Sequence, residues 1–238
     1  MLTKIANTSF ANDIFPKQIE SLRNFAKSEI YGLEGIDLIK VQLMHLAIID
    51  QFVLTTPNDS DLVKATIKEV LQENTDSLKD ILSQIDGGWP VRSQFGNQNG
   101  CKASCHASLI ALHSDFDLDF QKQVLGIYNR LNLDQNKKSE YNPGNLAYLH
   151  DRIHTNMGLL QKYGTQGKKD NGVWFPNKCE TSNIEEINEL RKSLKMNEGS
   201  LENYFEHMNK NIPKENLPAI KFVDVTTHHE ALSPPQFK

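Results

Sequence analysis

From Ile19 to beyond Asn183, apolar side chains recur at three- and four-residue intervals, and that spacing commits the chain to helices that each bury one stripe. Ile19, Leu22, Phe25, Ala26 and Ile30 mark a first helix, and residues 37–54 a second that is apolar on most sides and belongs at the centre of a bundle. Leu62, Val63, Ile67, Val70 and Leu71 follow the turn Thr56-Pro57-Asn58-Asp59-Ser60. Leu78, Ile81, Leu82 and Ile85 continue the pattern until Gly87-Gly88-Trp89-Pro90 ends it. Further helices are expected over 101–113, from Asp117 through Leu131, from Asn142-Pro143 to Tyr163-Gly164, from Asn183 through Leu194, and from Ser200. Asn183 and Glu186 have the spacing of a capping box. No repeat and no βαβ alternation occurs, and Phe222-Val223-Asp224-Val225 offers at most one short strand. The expectation is an all-α, single-domain multi-helix bundle with an irregular C-terminal segment: an extension over 1–16, a helical domain over 17–212 and a tail over 213–238.

The chain has 238 residues, net charge −4 and mean hydropathy −0.51. Its size allows a core that needs no disulfide or structural metal. Mild acidity speaks against a nucleic-acid or anionic-membrane binder, which concentrates basic charge. Gln42, His45, Asp50 and Gln51 interrupt the apolar stretch over 41–54, so it does not read as a membrane span. Three cysteines, Cys101, Cys105 and Cys179, form no disulfide framework, and the N-terminus lacks a signal-peptide core; a cytoplasmic protein is expected, with signal-less secretion as the variant.

Four segments carry candidate chemistry. His150-Asp151-Arg152-Ile153-His154 is a variant of the zincin helix motif, with two histidines on one face and Asp in place of Glu; the alternative is an amphipathic helix that happens to carry two histidines. Cys101 and Cys105 stand one helical turn apart with no second pair to complete a metal site, so packing is the plainer role. The loop over 96–100, leading into a helix, has the form of an anion cradle but lacks a P-loop's lysine and spacing. The segment from Asp151 to Gln166 is the densest in polar residues, and its structural alternative is a buried Asp–Arg network that locks helices together.

The run Leu149-His150-Asp151-Arg152, then Gly158, Gln161 and Tyr163-Gly164-Thr165-Gln166, resembles the signature of a bacterial family of unknown function marked by a "DR…G..Q.YGTQ" motif. Asp50-Gln51 is similar to its early "DQ" pair, Gly88-Trp89-Pro90 to its "GWP" segment, Gly96 and Leu112-His113-Ser114-Asp115 to its "vG…qHa" stretch, and Arg191 to the arginine of its C-terminal helix. The resemblance covers about residues 42–194. Leu54 stands where the family often has an arginine, and His150 and His154 lie outside its motif. The resemblance marks a site without naming a reaction.

The expectation is that Trp89, Arg92, His113, Asp151, Arg152, Tyr163 and Gln166 converge on one inter-helix cleft. His113 is the acid–base group, with Asp151 and Tyr163 as catalytic partners. Trp89, Arg92, Arg152, Gln161, Gln166 and Arg191 bind substrate, and no metal or cofactor is assigned. The function expected is acid–base hydrolysis or group transfer on a small polar or peptide-like substrate. A non-catalytic protein-interaction module, effector- or immunity-like, is the alternative, with a protein partner and a role for the tail over 226–238. A zinc hydrolase using His150 and His154 is the third reading.

Overall fold

A computed structural model describes residues 2–57, 60–134, 140–196 and 199–224, with side chains from Ile14 onward except for residues 97–101. The described chain is mainly α-helical, as its periodicity predicts. The helices are α1 (Leu2–Glu29), α2 (Gly35–Thr55), α3 (Asp61–Ser83), α4 (Arg92–Phe95), α5 (Asn97–His113), α6 (Leu118–Leu133), α7 (Gly144–Asn156), α8 (Ile184–Ser193) and α9 (Leu201–Met208). Strands β1 (Gly167–Asp170) and β2 (Val173–Pro176) lie between α7 and α8. By its internal contacts the chain divides into two compact units, one of residues 1–116 and 139–141, the other of 117–138 and 142–238.

In the first unit α2 packs against α1, α3 and α5. Phe15 and Ile19 of α1, Ile49 and Val53 of α2, and Val63 and Val70 of α3 form a buried cluster. The central position expected for α2 is therefore observed. Over its full 21 residues this helix is long and apolar enough to cross a bilayer by length and composition, which the shorter stretch over 41–54 does not reveal. In the fold Leu43, Ala47 and Val53 are core residues, and the interrupting His45 and Asp50 are buried as well. Ser60 caps α3 by accepting from the Val63 N–H at 3.2 Å. The helix gives way to a single 3-10 turn over Asp86–Gly88, where Gly87 and Gly88 take φ of 78° and 71°.

The segment over 96–100 departs from expectation. Gly96, at φ 82°, breaks the chain between α4 and α5, and α5 already begins at Asn97, four residues before the expected start. Residues 97–100 are thus the opening turn of a helix rather than a loop. α1 likewise runs unbroken through the expected boundary at residue 16, with Pro16 inside it. Much of the polar loop over 134–140 and the tail beyond Asp224 lie outside the described residues.

In the second unit α6 packs on α7, and α9 packs on α8 and β2. The expected caps form: Asp117 accepts from Phe120 N–H, Asn183 from Glu185 and Glu186 N–H, and Ser200 from Asn203 N–H. Glu186 does not close the capping box; its carboxylate takes the Thr181 hydroxyl, whose oxygen in turn accepts the Asn183 N–H. Asn142 accepts from the Gly144 N–H at 3.1 Å and starts α7. The hairpin β1–β2 was not expected. Its strands pair antiparallel from Gly167↔Pro176 to Asp170↔Val173, closed by Asn171 and Gly172 at φ 48° and 86°, the left-handed pair that a two-residue hairpin turn needs. Among the described residues of the weak strand expected over 222–225, Val223 forms an isolated bridge and exchanges backbone hydrogen bonds with Pro176 and Lys178.

Candidate functional site

The predicted site residues fall in both units. Trp89, Arg92 and His113 belong to the first; Asp151, Arg152, Gln161, Tyr163, Gln166 and Arg191 belong to the second.

In the second unit Asp151, fully buried on α7, organises the loop that follows the helix. One carboxylate oxygen accepts the Lys162 N–H at 2.8 Å and the Tyr163 N–H at 3.2 Å, and lies 3.2 Å from His150 Nδ1. The other accepts the N–H groups of Tyr163 and Thr165 and the Thr165 hydroxyl at 3.0–3.1 Å. A carboxylate ringed by backbone donors substitutes for the strand or helix partners that a buried loop otherwise lacks. Gln161 works in the same way: its amide donates to the Gln166 and Asn177 carbonyls, and its oxygen accepts the Gln166 N–H. Arg191, also fully buried, donates to the carbonyls of Tyr163 and Gly199 and lies over the Tyr204 ring, while the Tyr204 hydroxyl donates to the Thr165 carbonyl.

The glycine of the Tyr163-Gly164-Thr165-Gln166 run is required by geometry. Gly164 has φ +66°, and a Cβ there would stand 2.4 Å from Leu201 Cδ1. Burial, then the charges of Asp151 and Glu180, pushes the Tyr163 phenol above its ordinary value, so it stays protonated. Burial also pushes the nearby Cys179 thiol up to about 12, with Asp151 adding to the shift. The network expected as an Asp–Arg lock is thus built largely on backbone: Asp151 holds N–H groups and Arg191 holds carbonyls. Arg152 is buried beside Asp151 in sequence.

Of the zincin elements, His150 and His154 stack with ring centroids 4.0 Å apart. Asp151, in the position of the water-polarising acid, is already occupied by the loop. No group of three or more ligating side chains gathers among the described residues.

In the first unit His113, at the end of α5, points Nδ1 at Asp50 of α2, with 2.5 Å between Nδ1 and Oδ2. Both groups are buried. Asp50 can only accept when ionised, so the proton of this bond sits on Nδ1. Nε2 of His113 and Oδ1 of Asp50 are buried and have no hydrogen-bond partner. Next to His113, the Ser114 hydroxyl bonds that of Thr75 at 2.8 Å; elsewhere in the unit the Trp89 indole N–H donates to the Ser104 hydroxyl at 2.9 Å, while both ring nitrogens of buried His45 have no hydrogen-bond partner. Trp89 is accordingly a core residue, and Arg92 is half-buried at the start of α4. Sequence reasoning selects His113 and offers Asp151 as a catalytic partner, either orienting it or pairing with Arg152. The residue that holds it is Asp50, 63 positions away, which only the likeness to the family's "DQ" pair had singled out.

Comparison with protein-family models, curated proteins and solved structures gives no match to this chain.

Proposed function

We propose that the chain is an enzyme of the hydrolase or transferase type, with His113 as its general acid and base and Asp50 as the acid that orients it. The observation that carries this reading is the buried Asp50–His113 pair itself, an imidazole held through Nδ1 by a carboxylate of another helix. The Asp151 carboxylate and the Gln161 amide spend their polar atoms largely on the protein's own backbone, as structural elements do. The Asp50–His113 pair leaves a buried imidazole nitrogen and a buried carboxylate oxygen unsatisfied, at a cost of about 1–3 kcal/mol each. Both ring nitrogens of His45 are likewise unpartnered, so it is the carboxylate holding the imidazole of His113 that sets this pair apart as an acid–base candidate.

In this reading Asp50 fixes the tautomer and holds the ring. Nε2 takes the proton of an attacking hydroxyl or water, and the Asp50 carboxylate stabilises the imidazolium that forms. The same Nε2–H is then given to the leaving group. Arg92, in the same unit, is the cation assigned to a substrate carboxylate or phosphate. The substrate class remains a small polar or peptide-like molecule, and the Asp151 network is the scaffold of the second unit.

The test is a panel of chromogenic esters, amides, short peptides and phosphate esters, assayed with wild type, His113→Gln and Asp50→Asn. Expected is turnover of one class that falls by at least about 10²-fold in His113→Gln. Turnover that His113→Gln retains overturns the assignment, as does a panel with no turnover.

A second reading, a non-catalytic interaction module, is supported by an apolar groove of ≈ 410 Å³ lined by Ile14, Lys17, Gln18, Ser21, Leu22 and Phe52. A bound partner would protect the α1 residues of this groove and Phe52 of α2 from hydrogen exchange while leaving the neighbourhood of His113 unchanged.

A further inference from the structure

The border between α1 and α2 carries an apolar strip that the rest of the first unit leaves open. On α1 it runs through Ile14, Leu22 and Phe25, and on α2 through Val41, Ile48 and Phe52. Residues 41, 45, 48 and 52 are spaced four, three and four apart, and residues 14, 18, 22 and 25 four, four and three. Each set is therefore one stripe along its helix. Two contacts set the stripes side by side. Phe52 lines the apolar groove together with Ile14 and Leu22, and the Phe25 ring meets buried His45 edge-on, with centroids 6.0 Å apart. Phe25 is 57% exposed and Ile48 46%, so the strip continues past the groove as open apolar surface.

A crevice between two helices, lined by stripes of this spacing, is shaped to receive further helices. Its charges point to the occupant. Lys17 borders the strip at the Ile14 end, and Glu29, whose charge acts on His45, lies beyond Phe25 at the other. Both are exposed, and neither forms an ion pair among the described residues. A second copy turned by 180° about an axis through the middle of the strip sets each Lys17 against the other's Glu29 and lays apolar side chains on apolar side chains. That self-complementarity is what a two-fold interface requires.

We propose that two copies of this chain associate antiparallel through the α1–α2 strip, with a Lys17–Glu29 ion pair at each end. Eleven steps of helix, from Ile14 to Phe25, make a strip about 16 Å long, which covers less than the roughly 800 Å² per partner of a standard interface and makes the dimer reversible. The proposal gives the groove of the interaction-module reading an occupant, and it stands apart from the hydrolase reading, because no residue of the strip belongs to the Asp50–His113 pair.

The experiment is sedimentation equilibrium of the full-length protein from about 5 to about 500 µM. Expected is a monomer–dimer equilibrium with a Kd below about 100 µM, at least about tenfold weaker in Ile48→Glu, whose exposed position leaves the monomer's melt close to wild type. Lys17→Glu and Glu29→Lys each bring like charges together at both ends of the dimer and should each weaken it about three- to tenfold. The double variant Lys17→Glu, Glu29→Lys restores the pairs in reverse and should return the Kd to within about twofold of wild type. His113→Gln should leave the Kd unchanged, so the dimer and the hydrolase reading fail on separate readouts. A chain that stays monomeric at about 500 µM overturns the proposal and turns the strip over to a different protein partner. A dimer untouched by Ile48→Glu overturns it as well, and so does a double charge variant that associates no better than the single ones.

Discussion

Replacing Asp151 by Asn keeps the size of the side chain and changes only what it can offer the loop. The carboxylate accepts three backbone N–H groups and the Thr165 hydroxyl. An amide has one oxygen to accept with, and its NH₂ must face either the Lys162 N–H or the Thr165 N–H. If the oxygen serves Tyr163 and Thr165, the Lys162 N–H meets a donor. One unpaired amide costs about 1–3 kcal/mol, and loss of the charge weakens the remaining bonds by several tenths each. The total is about 3 kcal/mol, a large share of the 5–15 kcal/mol that holds a protein of ordinary stability. For a chain of this length that lowers the melting temperature by about 6–12 °C. The assay is thermal unfolding followed by circular dichroism, with hydrogen exchange at Lys162, Tyr163 and Thr165 as the local readout. A variant that melts within 2 °C of wild type, with those amides still protected, refutes the claim that this carboxylate organises the loop.

Three further outcomes follow from the same geometry. Gly164→Ala forces a methyl group onto Leu201 at a positive φ and should destabilise by about 2–3 kcal/mol, read by denaturant unfolding. Cys179, whose thiol burial holds near 12, should resist alkylation at pH 8 in the native protein while exposed Cys105 reacts; peptide mapping distinguishes them, and denaturant should release Cys179. His45 is held below its ordinary value by burial, against an opposing pull from Glu29, so the unfolded chain binds the proton more readily. Its contribution to stability is present above the ordinary value of 6.5 and is lost as the pH falls below it. Melting temperatures measured from pH 8 down to pH 5.5 should therefore decline, less steeply in His45→Leu.

The helical part of this fold is legible because each helix carries its own evidence: a stripe of apolar residues and a capping side chain such as Ser60, Asp117, Asn183 or Ser200. The hairpin escaped because β1 reads Gly-Lys-Lys-Asp, with no apolar alternation. Its true signal was Asn171-Gly172 followed by Val173-Trp174-Phe175, a turn dipeptide ahead of a β-prone run. Glycine and asparagine misled in the opposite direction over 96–100, where they open a helix and only Gly96 breaks the chain.

The polar run from Asp151 to Gln166 was legible as a place where polar side chains are concentrated, and its structural alternative named a lock. The partners were not legible, because backbone N–H and carbonyl groups leave no mark in a sequence. The bond between Asp50 and His113 was hidden for another reason. It joins two helices far apart in the chain, and nothing local to either residue specifies the other.

The central claim is a division of labour, in which the Asp151 network holds the fold and the Asp50–His113 pair serves a reaction at a cost to stability. The most direct test is the melting temperature of the double variant Asp50→Leu, His113→Phe. A buried pair kept for function can be exchanged for apolar side chains of similar volume with no loss, or with a gain of about 1–4 kcal/mol. The account predicts a double variant that melts at or above wild type and turns over no substrate. A double variant that melts as low as Asp151→Asn would show that the pair is part of the structural framework, and would contradict the account.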